Sequence, residues 1–200
     1  MINKLLKWFR FNLLYLRKPP WDTGITPPEV YEFLSSHPPG RVLDMGCGTG
    51  TNLITFISKG WQACGVDFSP LAVAKARKKI EKAGLSAELY NADVSQLSFL
   101  EGQFDLILDI GCYHSLSFSS RKKYQSTIER VLKPGGYFLI YAHLSDGGEK
   151  SRSTGAGFSQ QDEQDFKALF VQVKRVDSHD RFGRLASWMT YQRPIYEKVL

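Results

Sequence analysis

An α/β fold with a mostly parallel sheet is predicted for this chain by three observations. Segments typical of strands alternate with segments of helical periodicity from residue 41 onward, and the connections are short. The run Leu106-Ile107-Leu108 is continuously apolar, as expected of a parallel strand covered on both faces. A glycine cluster at 46–50 separates the first strand from the first crossover helix. Together these features indicate a doubly wound, seven-stranded sheet with right-handed crossovers.

Proline and glycine positions set the element boundaries in the first half of the chain. A helix over 29–35 stops at Pro38-Pro39-Gly40, and another over 70–82 stops at Gly84. Ser69-Pro70 begins the second of these helices, because serine caps a helix and proline suits its first position. The remaining elements are strands at 42–43, 61–66 and 88–90 and a helix at 52–59.

The second half of the chain continues the alternation and then ends in two strands. The predicted elements are a strand at 104–109, a helix at 121–132, a strand at 137–141, a helix at 160–170 and strands at 171–176 and 186–191. Lys133-Pro134-Gly135-Gly136 makes the turn into the fifth strand. No helical pattern separates the last two strands, so we expect an antiparallel hairpin at one edge of the sheet.

Length and composition fit one domain over residues 1–200, with 42% hydrophobic and 23% charged residues, which excludes a mainly disordered chain. The net charge of +6 is unevenly distributed along the chain. Residues 1–20 hold five basic residues and no acid, which leaves 21 basic against 20 acidic residues elsewhere. Since the body of the chain is nearly neutral, we expect no nucleic-acid partner.

The cysteines and the apolar runs indicate the cellular compartment of the protein. Cys47, Cys64 and Cys112 form no C-x-x-C pair or Cys/His cluster, so neither a disulfide framework nor a zinc site is expected. The apolar run at 11–16 is shorter than the about 20 residues of a membrane span or the roughly 7–15 of a signal peptide. We therefore expect a cytoplasmic protein.

The glycine cluster lies where an open α/β sheet binds ligands, outside the carboxyl end of a strand. Its sequence, D-M-G-C-G-T-G over 44–50, differs from the dinucleotide fingerprint G-x-G-x-x-G. The acid two residues before the first glycine suits a cationic amino group better than a pyrophosphate. Taken alone, the glycine spacing also fits a strand-to-helix turn of purely structural purpose.

Two further acids strengthen the binding interpretation. Asp67 ends the second strand, where a carboxylate can accept hydrogen bonds from ribose hydroxyls. Asp93 follows the third strand. Three acids at three successive strand ends, one of them beside a glycine loop, predict a ligand site.

Residues 41–142 resemble a class I S-adenosylmethionine-dependent methyltransferase, a Rossmann-like fold. The resemblance is carried by the motifs DMGCGTG, GVDFSP, NADV, FDLILD and RVLKPGGYFLI. It implies that S-adenosylmethionine is the cofactor, and that its methionine end contacts Asp44, Gly46, Cys47 and Gly48. It also implies that Asp67 holds the ribose, Phe68 packs on the adenine, Asp93 and the Val94 backbone take the exocyclic amine, and the backbone of Ile110 or Gly111 contacts the amino acid portion.

Two short segments resemble the thiopurine, thiol and tellurite-resistance group of small-molecule methyltransferases. One is P-P-W-D-T-G at 19–24, and the other is L-D-I-G-C-Y-H-S at 108–115. By this resemblance Trp21 and Asp22 belong to a lid over cofactor and substrate.

The basic N terminus allows three interpretations. Residues 1–16 are predicted to be helical and to end at Lys18-Pro19-Pro20. The helix could be part of a lid over about 1–38, could contact a membrane surface through residues 1–18, or could be an extension without a role beyond solubility. We favour the lid.

Methyl transfer from a sulfonium is an in-line displacement, so a soft thiol acceptor needs little base, whereas a hydroxyl or amine usually needs one. The candidate bases at strand ends are Tyr113, His114, Tyr141 and His143. A packing role is as good an interpretation for each. Arg152 in the 143–158 loop could meet an acidic substrate, although a solvated loop charge fits better. The histidines lack an i, i+4 pair, so no metal is expected.

The expected function is methyl transfer from S-adenosylmethionine to a small molecule, a thiol or another soft or apolar nucleophile. One alternative is a lipid, quinone or isoprenoid methyltransferase at a membrane surface. The other is a non-catalytic module that binds S-adenosylmethionine. The oligomeric state is left open.

Overall fold

The computed structural model describes residues 12–145, 157–180 and 182–195. The chain divides into two compact units, Met1–Val94 and Ser95–Leu200. No helix within the described residues is both long and apolar enough to cross a bilayer.

The first unit holds three parallel strands and their helices. Residues 12–16 are helical, and the elements that follow are α1 (Pro28–Ser36), β1 (Arg41–Met45), α2 (Thr51–Ser58), β2 (Gln62–Asp67), α3 (Pro70–Lys82) and β3 (Glu88–Asn91). β2 pairs in parallel with both β1 and β3. The predicted cap of α3 is confirmed, since Ser69 Oγ accepts from Ala72 N at 3.3 Å. A Cβ at Gly50 would lie 3.0 Å from Ala76 Cβ, so this glycine lets α3 approach the start of α2.

The second unit contains the parallel pair β4 and β5 and the terminal hairpin. Its elements are β4 (Phe104–Ile110), a 3₁₀ turn (Tyr113–Ser115), α4 (Phe118–Val131), β5 (Leu132–His143), α5 (Gln160–Leu169), β6 (Val171–His179) and β7 (Leu185–Gln192). β7 is antiparallel to both β5 and β6, so the predicted hairpin is confirmed. α4 begins three residues earlier than predicted, because its first turn, with Ser119 and Ser120, shows no apolar periodicity.

The turn predicted at 133–136 lies inside β5 as an irregularity of the strand. Pairing with β4 passes from Leu132 opposite Phe104 directly to Tyr137 opposite Leu106. Gly135 takes a positive φ of 78°. A Cβ at Gly136 would lie 2.9 Å from Lys133 O, so the two glycines allow the extra residues to fold tightly.

The predicted fold class is confirmed. The seven strands have the order β3-β2-β1-β4-β5-β7-β6, mostly parallel, with the antiparallel hairpin at one edge. This is a Rossmann-like α/β sheet.

A buried ion pair connects α4 to α5. Arg121 Nη1 lies 2.6 Å from Asp162 Oδ2, and both side chains are buried. Asp162 also accepts from Ser159 N at 2.8 Å, which completes the capping box of α5, and from Tyr113 Oη at 2.8 Å. The carboxylate is therefore satisfied from three sides.

Asp162→Ala should lower the free energy of unfolding by about 3–5 kcal/mol, because it leaves the Arg121 charge buried without its counter-charge. Glu163→Ala is the matched control. Its partners Lys167 and Arg175 are surface residues, so the loss should be about 0–1 kcal/mol. Urea denaturation of the two variants measures the difference, and equal losses would contradict the importance of the buried pair.

Candidate functional site

The glycine loop between β1 and α2 is held against the end of β2. The backbone N–H groups of Gly46 and Cys47 both donate to Val66 O, at 2.8 and 3.0 Å. Gly48 has a positive φ of 54°, in the left-handed region that favours glycine. Cys47 is buried, and its Sγ would lie 2.9 Å from a Cβ at Gly65, so a side chain at that position of β2 would displace the loop.

Asp67, the last residue of β2, organises this loop. Its Oδ2 accepts from Gly48 N at 3.0 Å and its Oδ1 accepts from Ser69 N at 2.8 Å. Only 5% of the residue is exposed. Burial raises the pKa of the carboxyl above its usual value, although the two N–H bonds act in the opposite direction. A carboxylate has about four acceptor sites, so two are left for hydroxyl groups of a ligand.

The end of β3 and the residue after it are hydrogen-bonded to the backbone of Asp67. Ala92 N and Asn91 Nδ2 donate to the backbone oxygen of Asp67, at 3.1 and 3.0 Å. Asp93 is half-buried and Val94 is buried. The structure thus brings the ends of β2 and β3 together.

The N-terminal segment packs on the glycine loop. Thr49 Oγ1 donates to Asp22 Oδ1 at 3.0 Å, and Trp21 Nε1 donates to Tyr15 Oη at 3.2 Å. A Cβ at Gly48 would meet Tyr15 Oη at 3.3 Å, so this hydroxyl lies directly over the loop. Trp21 is 49% exposed.

Two residues of this segment were missed by sequence analysis. Asn12 Oδ1 accepts from Ser69 Oγ at 2.7 Å, and the backbone oxygen of Tyr15 accepts from Lys75 Nζ at 2.5 Å. Burial, reinforced by the negative charge of Asp67, raises the pKa of Tyr15. The available signal was the spacing of three residues, which places Asn12 and Tyr15 on one helical face. Residues 1–11, which include most of the basic stretch predicted as a lid or membrane contact, lie outside the described residues.

The loop and its acids suit the cofactor expected from the sequence. Asp44 is buried in β1, beside a glycine loop in which a Cβ at Gly48 would come within 3.3 Å of Tyr15 Oη. The sequence resemblance assigns the following residues of this unit to S-adenosylmethionine: Asp44, Gly46, Cys47, Gly48, Asp67, Phe68, Asp93 and Val94. Buried carboxylates match an ammonium and a diol, both of which are hydrogen-bond donors.

In the second unit, Asp109 shapes the turn after β4. Its carboxylate accepts from Cys112 N at 2.8 Å, from Tyr113 N at 2.9 Å and from Tyr124 Oη at 2.5 Å. Burial raises the pKa of this carboxyl to about 6, against the opposing effect of these hydrogen bonds. No role for Asp109 follows from the sequence, because an acid inside an apolar strand gives no local sign of its partners.

Ile110 and Gly111, the predicted backbone contacts, directly follow Asp109 in the chain. Ile110 ends β4, and Gly111 follows with a positive φ of 86°. Gly111 N donates to Tyr141 O at 3.0 Å, which ties the turn to β5.

The four candidate bases have different surroundings. Tyr113 is fully buried, and its hydroxyl donates to Asp162 and accepts from Gln125 Nε2 at 2.9 Å, which favours the packing alternative for this residue. His114 and His143 lie together, with ring centroids 4.5 Å apart, and His143 N donates to His114 Nδ1 at 3.2 Å. Tyr141 lies edge-on to His143, with centroids 5.8 Å apart.

Three further sequence features concern Arg152, the cysteines and the groups that could bind a metal ion. Arg152 lies outside the described residues, since 146–156 are not described. All three cysteines are free thiols, and burial raises the pKa of Cys64 to about 12, which suits a packing role. Within the described part of the chain, no group of three or more His, Cys, Asp or Glu could hold a metal ion.

Comparison with known families agrees with this geometry. The family described as methyltransferase domain matches residues 42–136. This segment is similar to that family. It contains the glycine loop, the ends of β2 and β3, and the turn after β4.

The chain is also similar in sequence to a curated methyltransferase. Over 127 residues the chain is 31% identical to 2-heptyl-1-hydroxyquinolin-4(1H)-one methyltransferase of Mycobacteroides abscessus. That match covers 62% of this chain and 55% of the relative, so the chain spans about half the length of that curated protein.

Two solved structures share the fold. One comes from work on the conversion of a disulfide bond into a thioacetal group during echinomycin biosynthesis, with a TM-score of 0.77, 25% identity and coverage of 95% of this chain and 94% of the other. The second is the N-methyltransferase NodS of Bradyrhizobium japonicum in complex with S-adenosyl-L-homocysteine. It has a TM-score of 0.79 at 18% identity, with coverage of 94% and 98%.

The raised pKa of Asp109 predicts a measurable pH dependence of the free energy of unfolding. Since the folded protein holds this proton more tightly than the unfolded chain, the free energy of unfolding should fall by about 2–3 kcal/mol as the pH rises from about 4 to above 6. Asp109→Asn should remove this component of the pH slope, whatever its effect on absolute stability. Urea denaturation of both proteins at several pH values measures it, and identical slopes would contradict the assignment.

Proposed function

We propose that this chain transfers a methyl group from S-adenosylmethionine to a small-molecule acceptor, a thiol or another soft or apolar nucleophile. The observation that carries the proposal is the buried Asp67 carboxylate, which binds the glycine loop and the start of α3 through backbone N–H groups. The similarity of residues 42–136 to the methyltransferase domain family supports the reaction type. The relative named for a hydroxyquinolone supports a small, largely apolar acceptor.

Each predicted cofactor residue has a distinct task in this proposal. Asp44 and the backbone of Gly46, Cys47 and Gly48 hold the amino acid end. Asp67 accepts from both ribose hydroxyls, Phe68 packs on the adenine, and Asp93 and the Val94 backbone bind its amine. Ile110 or Gly111 adds a backbone contact to the amino acid portion. When bound, the cofactor supplies an electrophilic methyl group, and positioning provides much of the rate.

The N-terminal segment acts as a lid in this proposal. Tyr15 lies over the glycine loop, Trp21 donates to its hydroxyl, and Asp22 accepts a hydrogen bond from Thr49 that holds the segment to the loop. A lid of this kind excludes water from the bound sulfonium and holds the acceptor near it.

Free thiols at all three cysteines favour a reducing, cytoplasmic location.

Asp67→Ala should weaken binding of S-adenosylmethionine by more than about tenfold, because the ribose loses its charged acceptor and the loop loses its anchor. Isothermal titration calorimetry measures the affinity. Asp177→Ala, which removes an exposed carboxylate beside Arg175, is the control and should leave the affinity unchanged. Unchanged affinity in Asp67→Ala would show that the site lies elsewhere.

The lid is tested by a double-mutant cycle. Asp22→Ala and Thr49→Val each remove the same hydrogen bond, so each should speed cofactor dissociation by about three- to tenfold. The double variant should be no faster than the single ones, because the pair acts as one unit. Stopped-flow fluorescence follows dissociation, and additive effects would argue against a latch at this position.

A further inference from the structure

Two leucines of the N-terminal segment are exposed to solvent. Residues 12–16 are helical, and the inner side of this helical turn, Asn12 and Tyr15, is buried. Leu13 and Leu16, also three residues apart, share the outer side and are 59% and 66% exposed. Single exposed leucines are ordinary on protein surfaces, so the chemistry around this pair decides what it can bind.

A stripe of lysines on α3 lies next to this turn. Its four members have the i, i+3, i+4, i+7 spacing that places side chains on one face of a helix, and all are exposed: Lys75, Lys78, Lys79 and Lys82. Lys75 joins the stripe to the N-terminal segment, since its Nζ donates to Tyr15 O at 2.5 Å. The two leucines and the four lysines are called the basic-apolar face below.

The positive charge of the lysine stripe is not balanced within α3. The helix contains five basic residues and a single acid, Glu81. Lys79 Nζ donates to the hydroxyl of Thr51 at 3.0 Å, and the partner of Lys75 is a backbone oxygen. Neither partner brings a compensating charge, so the basic-apolar face favours an anionic partner.

We propose that the basic-apolar face docks the protein on an anionic lipid surface. The leucines enter the boundary between headgroups and acyl chains, and the lysines lie against the lipid phosphates. Lysine suits this position because its long apolar stem follows the interface while its ammonium group reaches the phosphates. Apolar burial and electrostatic attraction then add to the same contact.

The leucines distinguish a lipid surface from a nucleic acid. A phosphodiester backbone also attracts lysines, but its polar surface offers no apolar contact to Leu13 and Leu16. An anionic bilayer matches both parts of the face. Two further exposed basic residues, Arg17 and Lys18, directly follow the helical turn and add to the attraction.

Docking is compatible with a lid, because the two roles use opposite sides of the same turn. The hydroxyl of Tyr15 lies over the glycine loop, and Asn12 bonds to the start of α3. Leu13 and Leu16 are directed away from these contacts into solvent. Docking requires neither cofactor nor acceptor, so it stands apart from the proposed function.

Co-sedimentation of the full chain with vesicles tests the face. Binding should be at least about tenfold tighter to vesicles of equal parts phosphatidylcholine and phosphatidylglycerol than to pure phosphatidylcholine, and should weaken with added salt. Lys78→Gln/Lys82→Gln should weaken binding to the anionic vesicles by about 10- to 30-fold, since each exposed lysine contributes at the surface. Leu13→Ser/Leu16→Ser should weaken it by at least about tenfold, because the apolar contact is lost.

Matched variants remove the same chemistry from other surfaces. Lys122→Gln/Lys123→Gln changes two exposed lysines of α4, and Val171→Ser/Val173→Ser changes two exposed apolar residues of β6. Both should bind anionic vesicles as the wild type does. Equal binding to the two kinds of vesicle, or equal losses in control and test variants, would overturn the proposal. Loss in the lysine variant with none in the leucine variant would overturn it in favour of a polyanion such as a nucleic acid.

Acetylation footprinting tests the same face in the wild-type protein. Anionic vesicles should slow the reaction of Lys78 and Lys82 with acetic anhydride by at least about threefold, because lipid phosphates cover them, whereas Lys122 and Lys123 should keep their rates. Mass spectrometry measures each rate. Unprotected Lys78 and Lys82 would contradict the proposal even if the chain bound the vesicles. Failure to bind S-adenosylmethionine would count against the proposed function instead, and would leave the footprint as decisive as before.

Discussion

Buried carboxylates that accept backbone N–H groups at the ends of strands are the constraint on which the site depends. Asp67 does this at the end of β2, where it fixes Gly48 and Ser69. Asp109 does it in β4, where it fixes Cys112 and Tyr113. In each unit one acid converts a loose strand-to-helix connection into a defined surface of backbone atoms, because every bond to a charged acceptor is stronger than a neutral one.

The same device has an electrostatic cost. Burial raises the pKa of both carboxyls, so keeping each of them ionised at neutral pH lowers the free energy of unfolding. A ligand that brings hydrogen-bond donors to Asp67 offsets part of the cost, since it supplies partners for the remaining lone pairs.

The contrast between Asp109 and Asp180 is instructive about charge. Asp109 sits among neutral donors, and its pKa is high. Asp180 sits against the Arg184 guanidinium, and its pKa is low. Asp109 is fully buried, so the effect of burial exceeds that of its hydrogen bonds. At Asp180 the hydrogen bonds from the Arg184 guanidinium and from the backbone N–H groups of Phe182 and Arg184 exceed the effect of burial.

The sequence by itself determined the fold class, the order of the elements and the residues of the glycine loop. These depend on short-range patterns, namely apolar periodicity, capping residues such as Ser69, and glycines that alone tolerate positive φ. Tertiary structure decided which side chains meet. The contacts of Asn12 with Ser69, of Tyr113 with Asp162 and of His143 with Asp180 join residues 37–57 positions apart. Their identity follows from packing, because no local pattern states which polar atoms a buried donor or acceptor will find.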